Sequence, residues 1–255
     1  MTDHYYPSYL SWEQKNPEEV GMDSGKLEDA VAFSQQNETK MSRDTARDRA
    51  AKLRGLHCDD GKILGPIKNR GGVNGLVIRH GFIVAEWGDT YRVDMTFSAT
   101  KSYLSTCVGL AWDDGLIRNI HDPVKMYVSN YFDSPHKSKI TWHHLLQQTN
   151  EWDGTLWDKH YSADAHTPDS DYVRDPVEPG TFYEYNDVRV NLTALSALHV
   201  WRRPLPQILR ERIMDPIGAS KTWRWYGYDN SWVTIDGLRM QSVSGGGHWG
   251  GGLQI

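Results

Sequence analysis

The stretch SATKSYLSTCVGLAWDDGL, residues 98–116, decides how this chain is read. From Ser102 onward, Leu104, Val108, Ala111 and Trp112 recur at helical spacing, and Asp114-Gly115 supplies a stop, so a helix is expected from Ser102 to Leu116. Ser98-Ala99-Thr100-Lys101 stands at its start. On a helix, positions i and i+3 share a face, which lets the Lys101 amine reach the Ser98 hydroxyl. A helix start also offers unbonded N–H groups to charge developing on an oxygen. A lysine serves as a base there only where burial or a nearby cation makes it release its proton readily.

Roughly one S-x-x-K tetrad arises by chance in a chain of this length, and a second copy is present at Ser134-Pro135-His136-Lys137. That copy lies in a polar loop and carries a proline where helical continuity is needed, so it is read as chance. The first copy has a different setting. Upstream, two β-rich runs within Gly75–Gly88 flank Arg79-His80-Gly81, a hairpin signal. Earlier still, Pro17 to Gln36 reads as a helix capped by Asp23 or Ser24, with Leu27, Val31 and Ala32 as its apolar stripe. Glu38 to Lys62 is charged and weakly patterned, read as a further helix and a loop.

A second motif lies far downstream. Pro179-Gly180-Thr181-Phe182-Tyr183-Glu184-Tyr185-Asn186-Asp187 precedes a helix expected over Val188–Arg202. Taken with the tetrad, it resembles the serine β-lactamase and penicillin-binding-protein superfamily, closest to the class C-like branch of esterases, D-peptidases and 6-aminohexanoate-dimer-hydrolase-like amidases. Members carry S-x-x-K, then P-G-T followed by Y-S-N or a relative, in this order. The likeness extends to the opening segment Asn16–Asp23, to Asp113–Ile117 and Asp122-Pro123-Val124, and to Ile140–Asn150.

The resemblance implies an α+β fold: an antiparallel sheet flanked by helices, plus a mostly helical domain. It divides the chain into residues 1–101 with the hairpin and nucleophile, a helical part over 102–205, and a return toward the sheet domain over 206–255. On this alignment the chain stops before the last strands and helix of the fold. The implied activity is a serine hydrolase of carboxylesterase or amidase type. Ser98 is acylated, with its own N–H helping to hold the oxyanion, and Lys101 and Tyr185 move protons. A phenol is a usable base only beside a cation, which Lys101 supplies. Read alone, Tyr185 is also consistent with an aromatic packed on the following helix. Asp187, Asn150, Trp152, His248 and Trp249 are the candidate substrate contacts. The alternative is a non-catalytic or truncated module of the same scaffold.

Two departures from the family pattern matter. Asp187 stands where an amide is usual, and a carboxylate there would hold the lysine protonated and oppose a phenolate. Arg189 is expected to neutralise it, or the side chain to turn outward. An ester or linear amide is therefore expected to be the substrate, and an anionic β-lactam to be disfavoured. His248-Trp249-Gly250 fits the family's third motif formally. The run from Gly245 to Leu253 looks more like an earlier glycine-rich segment that precedes a helix.

Composition excludes several other classes. A net charge of −5 with scattered lysines and arginines does not suit a nucleic-acid partner. No apolar run reaches the roughly 18 residues of a membrane span, and Met1–Pro7 lacks the features of a secretory signal. Cys58 and Cys107 form no framework, so a reduced, cytoplasmic protein is expected and the N-x-T sequons at Asn37 and Asn191 are read as accidental. No cofactor or metal is implied: His143, His144 and His160 lack ligand spacing. The G-x-G-x-x-G match at Gly245–Gly250 has no βαβ setting, and G-x-S-x-G is absent. The eleven tryptophans suit the walls of a wet cleft or a Trp-rich core.

Overall fold

A computed structural model describes residues 5–8, 11–47, 63–164, 174–246 and 252–255. Asp23 caps helix α1 (Ser24–Gln36) by accepting from the Lys26 N–H at 3.0 Å, but the helix does not extend back to Pro17. Pro17–Val20 is a separate 3₁₀ turn, ended by Gly21 at φ 74°. Most of the expected helix and loop over Glu38–Lys62 lies outside the described residues.

The hairpin forms as read. Strands β1 (Gly75–Arg79) and β2 (Phe82–Trp87) pair antiparallel across His80 and Gly81. Both turn residues have positive φ, 52° and 87°, the twist a two-residue hairpin loop requires. One face packs little: Leu76 and Ile78 are each 46% exposed.

Helix α2 (Thr100–Asp113) starts two residues before its expected limit and ends at Asp114, with Gly115 at φ 73° behind it. Leu104, Cys107, Val108 and Ala111 face the core. Trp112, counted in the apolar stripe, is 54% exposed, because its position one residue past Ala111 is about 100° further round the helix. After α2 come the short helix α3 (Trp142–Leu146) and a small hairpin, β3 (Thr155–Leu156) with β4 (Lys159–His160). Helix α4 (Asp187–Trp201) is the centre of the molecule, buried on nearly every side from Asp187 to Leu198. It packs on α2, and the Trp201 indole N–H donates to the Cys107 carbonyl at 3.0 Å. Helix α5 (Leu205–Leu209) follows and continues as a π-helical turn over Arg210–Met214.

The chain then builds a three-stranded antiparallel sheet in the order β6-β5-β7, from β5 (Arg224–Ile235), β6 (Leu238–Val243) and β7 (Gly252–Gln254). Asp236 and Gly237, both at positive φ, close the β5–β6 hairpin. The last residues of the glycine-rich run enter strand β7, while residues 247–251 lie outside the described residues. Strand β7 lies between β5 and the segment before Ser98: Thr96 N donates to Leu253 O at 3.0 Å, and Met95 bridges Gln254. The fold is α+β, with antiparallel sheets and a helical body. Among the described residues no helix is long and apolar enough to cross a membrane.

Candidate active site

Ser98 sits in a 3₁₀ turn, Phe97–Ala99, that runs straight into α2. The residue before it, Phe97, has φ 46°, a left-handed conformation disfavoured for a bulky side chain and held here by its surroundings. Those surroundings include β7. The Leu253 N–H donates to Thr100 Oγ1 at 3.2 Å, and Thr96 Oγ1 donates to Leu253 O at 2.8 Å. The turn leaves the Ser98 side chain exposed, while Lys101 and Tyr185 are half-buried.

The three side chains singled out in the sequence meet. Ser98 Oγ shares a short hydrogen bond with the Tyr185 hydroxyl. Lys101 Nζ donates to Ser98 Oγ at 3.3 Å and lies 4.5 Å from the centre of the Tyr185 ring. The amine has two further acceptors: Asp187 Oδ1 at 2.6 Å and the Gly246 carbonyl at 3.1 Å. Tyr185 therefore does not simply pack on α4. It stands just before Asn186, whose side chain caps α4 by accepting from Arg189 N at 3.0 Å.

Asp187 neither turns outward nor pairs with Arg189. It is 5% exposed and forms an ion pair with Lys101. Arg189 points the other way, to Glu151 Oε1 at 3.0 Å, Glu184 Oε2 at 2.8 Å and the Trp152 carbonyl at 3.1 Å. Arg174 joins this buried network with a two-pronged contact to Glu151 at 2.6 and 2.7 Å. Burial alone would push the Glu151 carboxyl up. The Arg174 hydrogen bond, the Val177 N–H and the Arg189 charge outweigh burial and hold it below the usual carboxylate range. Because Glu184 adjoins Tyr185, the network fixes the backbone that carries the phenol. Gln148 adds two bonds to the same loop, from Glu184 N to its carbonyl and from Asn186 N to its side chain.

Other expectations are corrected. Asn150 and Trp152 are enclosed, at 0% and 2% exposure, and present no surface to a substrate. The Asn150 amide oxygen accepts from Trp152 N, and the Trp152 indole donates to the Tyr131 carbonyl, so both serve the loop's own structure. His248 and Trp249 lie outside the described residues. In the second S-x-x-K, Ser134 Oγ accepts from the Lys137 backbone N–H, while the Lys137 amine sits about 4 Å from Asp133 and Asp153. Burial pushes the Cys107 thiol up to about 12, which removes it as a nucleophile. Asn191 is buried and accepts from Gly245 N at 2.9 Å, closed to glycosylation in the folded chain. His144 completes a helix cap with Thr141, and His160 bonds Ser162. Among the described residues no group of His, Cys, Asp and Glu is arranged to hold a metal ion.

Gly246 was not foreseen. A Cβ there would meet Asp187 Cγ at 2.5 Å, so this position brings backbone against the carboxylate and its carbonyl onto the amine.

The Beta-lactamase family model matches residues 67–226, well over half of the chain, and the chain belongs to that family. Among solved structures it is similar to a Bacillus anthracis protein assigned as a 6-aminohexanoate-dimer hydrolase, at 15% identity and TM-score 0.49, over 71% of this chain and 50% of that one. It is also similar to EstCE1, a hydrolase with promiscuous acyltransferase activity, at 15% identity and TM-score 0.48, over 83% and 69%. The D-amino acid amidase of Ochrobactrum anthropi SV3 matches at 18% identity and TM-score 0.43, over 64% and 51%. The chain spans about half the length of the first and third of these. No curated protein matches it.

Proposed function

We propose that the protein is a serine hydrolase that forms an acyl-enzyme on Ser98 and cleaves an ester or a linear amide. The observation that carries this reading is one exposed hydroxyl held between a phenol and an amine that come from distant parts of the chain. The Ser98 proton passes to the Tyr185–Lys101 pair as Oγ bonds to the substrate carbonyl carbon. The oxyanion forms near the Ser98 N–H at the start of the helical segment. Tyr185 then protonates the departing alcohol or amine as its bond to carbon breaks. Water attacks the acyl-enzyme, its proton passing to Tyr185. The carboxylic acid leaves as Ser98 recovers its proton. Every atom of the cycle comes from substrate, water or these side chains.

Small neutral esters and amides suit the site better than anionic β-lactams, because Asp187 adds a negative charge directly behind the nucleophile. A fluorophosphonate probe is expected to label the wild-type protein and not Ser98→Ala. Short-chain aryl esters are expected to be hydrolysed and cephalosporins left intact. A soluble, folded wild-type chain that takes no label would make the protein a non-catalytic module of this scaffold. Rapid cephalosporin turnover would refute the charge argument.

A further inference from the structure

Residues 181–185 run, without helix or strand, from the Gly180 turn to the cap of α4. The run is pinned to the loop after α3. Gly180 N donates to Thr149 O at 2.7 Å, Glu184 N to Gln148 O at 3.1 Å, and Asn186 N to the Gln148 side chain at 3.1 Å. Its side chains alternate. Phe182 lies against the Arg174 guanidinium, 4.0 Å from the ring centre, and Glu184 approaches the same guanidinium at 3.9 Å. Tyr185 goes the other way, to Ser98 and Lys101. In extended backbone, alternate residues share a side and stand about 6–7 Å apart, so Tyr183 belongs to the Tyr185 side. It is 60% exposed, and among the described residues no hydrogen bond or ring contact engages it. A large aromatic on a fixed backbone, one step from a reacting centre, is a contact surface that costs little to order.

We propose that Tyr183 is a specificity residue whose ring receives a flat apolar leaving group, so that the preferred substrates are esters and amides of aryl or benzyl alcohols and amines. The inference deepens the serine-hydrolase reading and rests on it. The side of the substrate follows from proton delivery. Tyr185 gives its proton to the departing oxygen or nitrogen, so the leaving group lies against the phenol. Tyr183 is the next side chain along that side. The acyl group stays on Ser98 and makes no demand on it. Phe182, although 44% exposed, lies on the opposite side with its ring against Arg174, and does not share this role.

The test uses ethyl acetate, benzyl acetate and ethyl phenylacetate, which place a ring nowhere, on the leaving side and on the acyl side, with alcohols of similar leaving ability. For wild type, Tyr183→Ala and Tyr183→Phe, kcat and KM are measured on each ester, beside fluorophosphonate labelling at Ser98. Y183A is expected to lower kcat/KM for benzyl acetate by about threefold to tenfold, chiefly through a higher KM, and to leave both ethyl esters within about twofold. Labelling at Ser98 is expected to be unchanged. Y183F, which keeps the ring, is expected to match wild type. A loss shared by all the esters marks a structural effect on the loop. An unchanged KM for benzyl acetate makes Tyr183 a bystander, and a loss confined to ethyl phenylacetate puts the ring on the acyl side. Each of these, with labelling intact, overturns the inference and leaves the hydrolase reading standing. Wild type that takes no label and cleaves none of the esters defeats that reading, and the inference with it.

Discussion

At the scale of single residues, the site depends on where a proton can go when the Ser98 hydroxyl attacks. Tyr185 makes the shorter of that hydroxyl's two side-chain hydrogen bonds, the other coming from Lys101. Tyr185→Phe is expected to lower both probe labelling and ester hydrolysis by roughly 10²–10⁴-fold, with the melting temperature nearly unchanged because the ring remains. A loss under tenfold would move the base role to Lys101. That Ser98 and Lys101 meet was legible from the S-x-x-K spacing, and that Tyr185 joins them was implied by the family resemblance. Asn150 and Trp152 were misread for the complementary reason. Their segment follows the family pattern, yet which way a loop side chain points depends on packing partners the sequence does not list. Gly246 contributes a backbone carbonyl, and no side-chain signal announces one.

At the scale of elements, the loop carrying Tyr185 is held by a turn that needs glycine. Gly180 has φ 92°, and a Cβ there would come within 2.8 Å of His144 Nε2. Gly180→Ala is expected to cost about 1–3 kcal/mol in denaturant unfolding and to lower kcat, because the strain falls on the loop that presents the phenol. Full activity with full stability would show the turn to be tolerant. Helices α2 and α4 were readable from their apolar spacing, with limits close to those observed. The long β5–β6 hairpin was not recognised, although Asp236-Gly237 is the kind of dipeptide that favours a two-residue turn. Its flanking residues hid it, since Asp229, Asn230 and Ser231 interrupt the alternation where the register shifts.

At the scale of the whole molecule, the buried network of Glu151, Arg174, Glu184 and Arg189 ties the loop after α3 to the start of α4. Glu151→Gln leaves two arginines short of an anion and is expected to destabilise the fold by about 3–5 kcal/mol. The sign of the pH effect follows from its lowered carboxyl. The folded state holds its proton less readily than the unfolded state does, so the stabilisation is complete above the ordinary value of 4.5 and fades as pH falls through the lower folded-state value. Unfolding measured over that range should show the acid-sensitive component in wild type and its absence in E151Q; equal acid sensitivity would contradict the assignment. The architecture was foreseeable only by resemblance, since no local pattern states that residues near 98, 187 and 246 converge. Their separation has a temporal consequence. The amine's partners lie 86 and 145 positions along the chain, so a refolding molecule regains its helices through short-range contacts well before those distant closures occur. Recovery of the circular dichroism signal is therefore expected to run ahead of probe labelling at Ser98.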